Sequence, residues 1–492
     1  MGRVRLFVVV ALVVCSGCAL PGNPDGFDTD RELGHVGEYA HDDVFAFDTS
    51  GDLSEKQLEA VMYRSMARIE VVRGLKYERD VELEVTTRSE YRDRRTSGTE
   101  NASAFSNEVW RAAFLVDGDT DVNRAFDDLY GDSVQGYYVN DRIVIVVDET
   151  DAISIDRRTL VHELTHALQD QHFGIARESE TIDGLRAENG LLEGEAASVP
   201  RQYDRRCGSE WQCLPATQGA TASGEAITQR PFNDGLFLSI YAPYAEGPGF
   251  VADRFERGGW AAVDRAHAEP PRSTAQLLHP DLYPDTDPVD VDVPDRSSDD
   301  WRPITESAGD GDGEPRTETI GEATLFATLW ANGVVERPLT EGATDGSRYN
   351  YSYPATEGWA GDSLRVYRNG DERNRTAHVW RLAWERPADA TAFADAYRQL
   401  LSNNGAERVE SAGDGVYRIP DGEPFTGAYR VTVADDTVEI VSAPTVDELA
   451  AVHATASGSS PSLESGPARE PAATVSTLPT DSPAASRSSA DG

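Results

Sequence analysis

The chain has 492 residues, with 86 Asp plus Glu against 45 Lys plus Arg and a formal net charge of −41. So acidic a chain lacks the general basic surface that nucleic-acid binding uses. It is no disordered polyanion either, because 39% of it is hydrophobic, including 8 Trp, 18 Tyr and 15 Phe, enough for the cores of roughly two or three domains.

The acid is spread along the whole chain, and the only lysines are Lys56 and Lys76. Such a charge repels itself in dilute buffer, whereas molar salt cuts the Debye length to about 3 Å. Together with scarce Met and Cys, this is the composition expected of a salt-adapted, haloarchaeal protein. It speaks to habitat and leaves activity open.

Residues 1–18, MGRVRLFVVVALVVCSGC, place Arg3 and Arg5 before an apolar run from Leu6 to Val14. The run is too short for a bilayer core of about 30 Å but suits a signal peptide. Cys15-Ser16-Gly17-Cys18 resembles a lipobox, although Leu is commoner where Cys15 stands. Cys18 is then the lipid anchor of a protein held at the outer face of the cell membrane, with plain secretion as the alternative. Residues 19–50 read as an acidic tether.

At Ser54, with Gln57, a capping box opens a helix carrying Leu58, Val61, Met62, Met66, Ile69 and Val72. Val81–Val85 alternates as a strand, Ala125, Phe126 and Leu129 belong to a helix, and Arg142–Val147 is an apolar strand. Helices follow from about Arg158 to Phe173, closed by Gly174, and from Leu185 to Tyr203. Residues 231–283 read as mostly helical. Cys207 and Cys213 suit a small disulfide loop in an oxidising compartment, and sequons at Asn101, Asn350 and Asn374 are compatible with export.

Residues 284–318 read as an acidic, Pro-rich insertion or linker. Beyond it come a strand at Ala377–Trp384, a helix at Ala388–Leu401 and a hairpin from Tyr429–Val433 and Val438–Val441. The Ser/Pro/Ala/Thr-rich residues 454–492 are expected to be disordered. The fold class expected is α+β: a mainly helical, zincin-like metallopeptidase domain over 51–283 with a short strand region, then a smaller α+β domain over 319–453.

The chemistry is concentrated in His162-Glu163-Leu164-Thr165-His166, an HExxH motif. Four residues apart on a helix, His162 and His166 share a face and can bind one Zn²⁺. Glu163 beside them can act as base toward water that the metal acidifies. Catalytic zinc usually takes a third protein ligand. His172 has the spacing of a metzincin ligand, but Gln169 stands where that pattern needs Gly, and a continuing helix turns His172 away. Glu193, in Leu191-Leu192-Glu193-Gly194-Glu195-Ala196, is the preferred third ligand, with Glu188 and Glu195 as alternatives. Tyr203, Tyr241, Tyr244 and His279 are possible stabilisers of an oxyanion.

HELTHALQDQHF followed by LLEGEAAS resembles a group of haloarchaeal HExxH surface lipoproteins with a gluzincin-type, metallopeptidase-like site, and related bacterial proteins. Pro243-Tyr244 through Gly249-Phe250-Val251, Gly258-Gly259-Trp260, Ser273–Pro280 and Gly358-Trp359-Ala360-Gly361-Asp362 carry the likeness further, over about residues 54–450. The resemblance implies zinc ligands His162, His166 and Glu193 with Glu163 as base, and names no substrate. Two functions compete on the sequence. One is a lipid-anchored zinc peptidase cutting peptides or proteins outside the cell. The other is a non-catalytic surface lipoprotein that keeps the scaffold. A solute-binding lipoprotein is weaker, because no pair of similar lobes is seen.

Overall fold

A computed structural model describes residues 27–49, 53–96, 100–148, 155–214, 233–305, 313–344, 347, 349–372 and 375–455. The signal peptide, Cys18 and the tail from residue 456 lie outside the described residues. Residues 27–49, expected to belong to a tether, are instead packed. Strands β1 (His35–Val36) and β2 (Tyr39–Ala40) pair as a hairpin. Val36 is fully buried, and Phe27, Phe45 and Phe47 lie against the same core. Helix α1 (Glu55–Arg73) begins with the Ser54–Gln57 capping box and stops at Gly74, whose φ of 79° suits a residue without Cβ. Its Glu70 is buried and pairs with Arg31 of the N-terminal segment.

Strand β3 (Glu82–Thr87) leads into helices α2 (Arg88–Thr96), α3 (Ala104–Ala112) and α4 (Val122–Ser133). Strands β4 (Gly136–Val139) and β5 (Arg142–Val147) complete a three-stranded sheet of order β3–β5–β4. β3 runs parallel to β5, and β4 runs antiparallel at the edge. The sequence Arg-Ile-Val-Ile-Val-Val suits the central strand, apolar on both faces.

Helix α5 (Arg157–Phe173) is capped by Asp156, whose carboxylate accepts from Thr159 N. Leu160, Val161, Leu164, Ala167 and Leu168 bury its apolar side in one core with α1, β3 and β5. Next come α6 (Ile182–Arg206) and α7 (Asp234–Gly258), each 25 residues long. They cross closely at glycines: a Cβ on Gly194 would lie 2.2 Å from the Gly247 carbonyl oxygen, and one on Gly247 would lie 2.0 Å from that of Gly190. Cys207 and Cys213, just after α6, are joined by a disulfide. Helices α8 (Trp260–Ala268) and α9 (Thr274–Leu278) close this half.

The acidic segment 284–318 is not wholly an exposed linker. Val291, Val293 and Trp301 are buried, and β6 (Trp301–Pro303) and β7 (Thr317–Glu318) both pair with a long strand further on. That strand, β8 (Trp359–Asn369), follows helix α10 (Glu322–Ala331). It continues into β9 (Thr376–Trp384), helix α11 (Pro387–Asn403), β10 (Glu407–Arg408), β11 (Val416–Ile419), β12 (Gly427–Ala434), β13 (Thr437–Ala443) and helix α12 (Leu449–Val452). The sheet is antiparallel, in the order β10–β11–β12–β13–β9–β8–β6, with β7 also on β8. The expected strand at 377–384, helix at 388–401 and hairpin at 429–441 all fall within these elements.

One hydrophobic core runs across both halves of the chain. Phe105, Val109, Leu238 and Ala242 pack with Ile320, Phe326, Trp380 and Tyr397. Buried polar contacts join the halves too. Asp362 of the GWAGD segment accepts from the backbone N–H groups of Ile320 and Gly321 and from the indoles of Trp359 and Trp380. Glu108 of α3 is held by Arg111, His378 and Thr376. The fold class is therefore α+β, with several sheets. No helix among the described residues is long and apolar enough to cross a membrane.

Candidate metal centre

Helix α5 carries His162 and His166 one turn apart, and α6 brings Glu193 across to them. His162 Nε2 lies 3.2 Å from His166 Nε2. Glu193 Oε2 stands 3.1 Å from the first and 3.4 Å from the second. Atoms bound tetrahedrally to one zinc, each about 2.0–2.1 Å from it, are roughly 3.3–3.4 Å apart. The three atoms have nearly that spacing.

The far side of each ring explains why its Nε2 carries a lone pair. His162 Nδ1 is 3.0 Å from Ala196 O, a backbone carbonyl that can only accept, so Nδ1 holds the proton. Gln169 donates its Nε2 to Leu192 O at 3.0 Å and to Glu195 at 2.9 Å. Its Oε1 is thereby turned to His166 Nδ1, 2.8 Å away, which must donate. When neutral, both rings thus aim lone pairs at each other and at a carboxylate, the arrangement a metal ion needs. Glu193 Oε2 is buried and, despite that proximity, takes no hydrogen bond. Three acceptors facing one another repel unless a cation lies among them.

The electrostatics agree. Burial opposes a charge on His166, but Glu193 beside it pushes its pKa up to about 9. Burial opposes ionisation of Glu193 as well, yet the two imidazoles hold its carboxyl well below the usual range. The cluster attracts positive charge to its centre.

Glu193 and Glu195 are two residues apart, so about 200° separates them around the helix. Gly194 between them faces α7. Glu195 therefore points elsewhere: it is 1% exposed and pairs with Arg73 and His267. Burial alone would raise its pKa, but Arg73, His267 and Gln169 hold it at about 2. It buttresses Gln169, which orients His166. Glu188 accepts from the backbone of Glu178 and Ser179. His172 bonds Lys76 O, away from the cluster, as a continuing helix predicts.

Glu163 is 6% exposed, and its carboxylate has no hydrogen bond or ion pair among the described residues. Burial raises its pKa, against the pull of His162 and His166. Of the possible oxyanion stabilisers, Tyr203 is 2% exposed and accepts from Arg68, and His279 pairs with Glu322. Tyr241 stacks between Phe237 and Tyr244. Tyr244 alone reaches the cluster. It is 43% exposed and stands within electrostatic reach of Glu193. Glu193's charge, then burial, raise the phenol well above its ordinary pKa, so it keeps its proton to donate.

Sequence reasoning missed Gln169, Glu195, Arg73 and His267 as a supporting shell. Only Gln169, one turn after His166, carried a local signal.

Known proteins add one finding. Residues 306–453 match a family model described as a domain of unknown function (DUF8575). The match covers most of the large sheet and stops short of the His–His–Glu cluster. No curated protein and no solved structure matches the chain.

Proposed function

We propose that this chain is a zinc metallopeptidase of gluzincin type, with a zincin-like half built on α5 and α6. It is exported, lipid-anchored at Cys18 on the outer face of the cell membrane, and hydrolyses peptides or proteins there. The observation that carries this reading is the meeting of two Nε2 lone pairs with an unpartnered, buried Glu193 oxygen. His162, His166 and Glu193 would hold the metal. When bound, zinc supplies Lewis acidity, drawing the pKa of a coordinated water toward about 7 and polarising a carbonyl oxygen.

The chain's own residues do the rest. Glu163, unpaired and partly desolvated, takes a proton from water in the cleft and passes it to the leaving amine. Tyr244 donates a hydrogen bond where negative charge develops on the scissile carbonyl. Gln169 and Ala196 O keep both imidazoles in the metal-binding tautomer. Edge strand β4, paired only with β5 among the described residues, offers a side on which an extended peptide can add.

The test is to purify the mature protein in molar KCl, count zinc per chain, and assay diverse peptides with wild type and Glu163→Gln. One zinc per chain in both, with hydrolysis lost only in the variant, supports the reading. Failure to bind stoichiometric zinc sinks it. Zinc without hydrolysis favours the non-catalytic surface lipoprotein instead.

A further inference from the structure

Arg186 lies seven residues before Glu193 on α6. Seven residues turn a helix about 700°, so the two share a face, roughly 10 Å apart along the axis. Its Nε is buried without an acceptor, and no nitrogen of the guanidinium has a hydrogen bond or ion pair among the described residues. Carboxylates outnumber basic groups in this chain, 86 to 45. Several arginines have taken one: Arg31 holds Glu70, Arg73 holds Glu195 and Asp264, Arg111 holds Glu108, and Arg157 holds Asp204, whereas Arg64 and Arg68 hold backbone carbonyls instead.

Arg186 lies on the side of α6 that carries Glu193. Its neighbours in electrostatic reach are Tyr130 of α4, Tyr244 of α7, Tyr351 and, more weakly, Glu318. Tyr244 is also within electrostatic reach of Glu193. Glu318 does not neutralise it: burial pushes that carboxyl up to about 7, and its Oε1 is committed to the N–H groups of Ile182 and Thr319. Arg177 adds positive potential to the same wall, within reach of Glu193 and Tyr244, with its Nε held by Asn189. A partly desolvated guanidinium without an anion is unfavourable, and a carboxylate satisfies its planar fork with two parallel bonds.

We propose that Arg186 binds a carboxylate of the peptide substrate, within roughly three residues of the bond that is cut, at about 3.3 Å of extended chain per residue. The carboxylate is either the free C-terminus, which makes the enzyme an exopeptidase, or an Asp or Glu side chain, which makes it an acid-selective endopeptidase. The inference rests on the proposed peptidase reading.

The test uses the zinc-loaded, full-length mature protein and a matched peptide series: free C-terminus against C-terminal amide, and Asp or Glu against Asn or Gln at each position near the cut. Wild type should lose about ten- to a hundredfold in kcat/KM, mainly through KM, when one carboxylate is neutralised. Which one identifies the source. Arg186→Met should collapse that ratio toward one with zinc content unchanged, and Arg186→Lys should restore part of it.

Binding of the same peptides to the Glu163→Gln protein, by calorimetry, should show the same loss without turnover. A wild type indifferent to every carboxylate overturns the proposal even if Arg186→Met does not fold. So does an Arg186→Met that keeps the preference. Absence of zinc or of all hydrolysis defeats the peptidase reading instead, and the calorimetric arm still decides Arg186.

Discussion

Two glutamates on α6, two residues apart, should fail in different ways. Consider Glu195→Gln. The substitution keeps shape and removes the charge that pairs Arg73 and His267. Breaking a buried ion pair by removing one partner costs about 3–5 kcal/mol. Asp264 still pairs Arg73 but is 38% exposed, so the lower end applies. A second route gives a similar figure. Glu195 titrates at about 2 in the fold against an ordinary 4.5, which amounts to about 3 kcal/mol.

The sign follows from the depressed pKa: this stability is complete above about pH 4.5 and is lost as the pH falls toward about 2. Denaturant unfolding in molar KCl at several pH values measures it. Glu195→Gln should lie about 3 kcal/mol below wild type near neutrality, and the gap should narrow in acid. Glu193→Gln should instead lose stoichiometric zinc. The reasoning is refuted if Glu195→Gln stays within about 1 kcal/mol of wild type, or if the gap persists unchanged to about pH 3.

Other outcomes follow from the same contacts. Gln169→Leu frees the His166 ring and should weaken zinc about 10- to 100-fold in chelator competition; undiminished affinity would show that Gln169 does not orient the ligand. Gly194→Ala puts a methyl against the α7 backbone and should cost at least about 1–3 kcal/mol in denaturant unfolding, and a neutral result would mean that the helices do not cross there. With a net charge of −41, the melting temperature should climb from dilute buffer to molar KCl. A flat salt profile would count against salt adaptation.

The cluster was legible because its determinants are local. The four-residue spacing of His162 and His166 and their shared helix place two candidate ligands together, and the helical run around Glu193 supplied the third member of the cluster. The shell behind them was not legible. Arg73 and His267 reach Glu195 from 122 and 72 residues away, and no periodicity announces such a contact. Strands β5, β9, β12 and β13 were readable from apolar runs. The packed residues 27–49 were not, because Phe27, Val36, Phe45 and Phe47 are scattered among Asp and Gly. In 284–318 the acid masked an alternation: Val291 and Val293 point inward while Asp292 between them is exposed.

The core common to both halves bears on how this protein can be dissected and how it was assembled. The family match begins at residue 306, yet the folding unit does not. A fragment cut there would lose edge strand β6, the lid of Val293 and Trp301 over the sheet, and the side chains of α3 and α7 that plug its other face. It would expose Trp380, Phe326 and Ile440 and should aggregate. A fragment ending before 306 would leave Phe105 and Leu238 bare and strand Glu108 without His378. The sheet therefore serves as a foundation inseparable from the helices that carry the histidines, and the two are expected to be inherited, expressed and lost together.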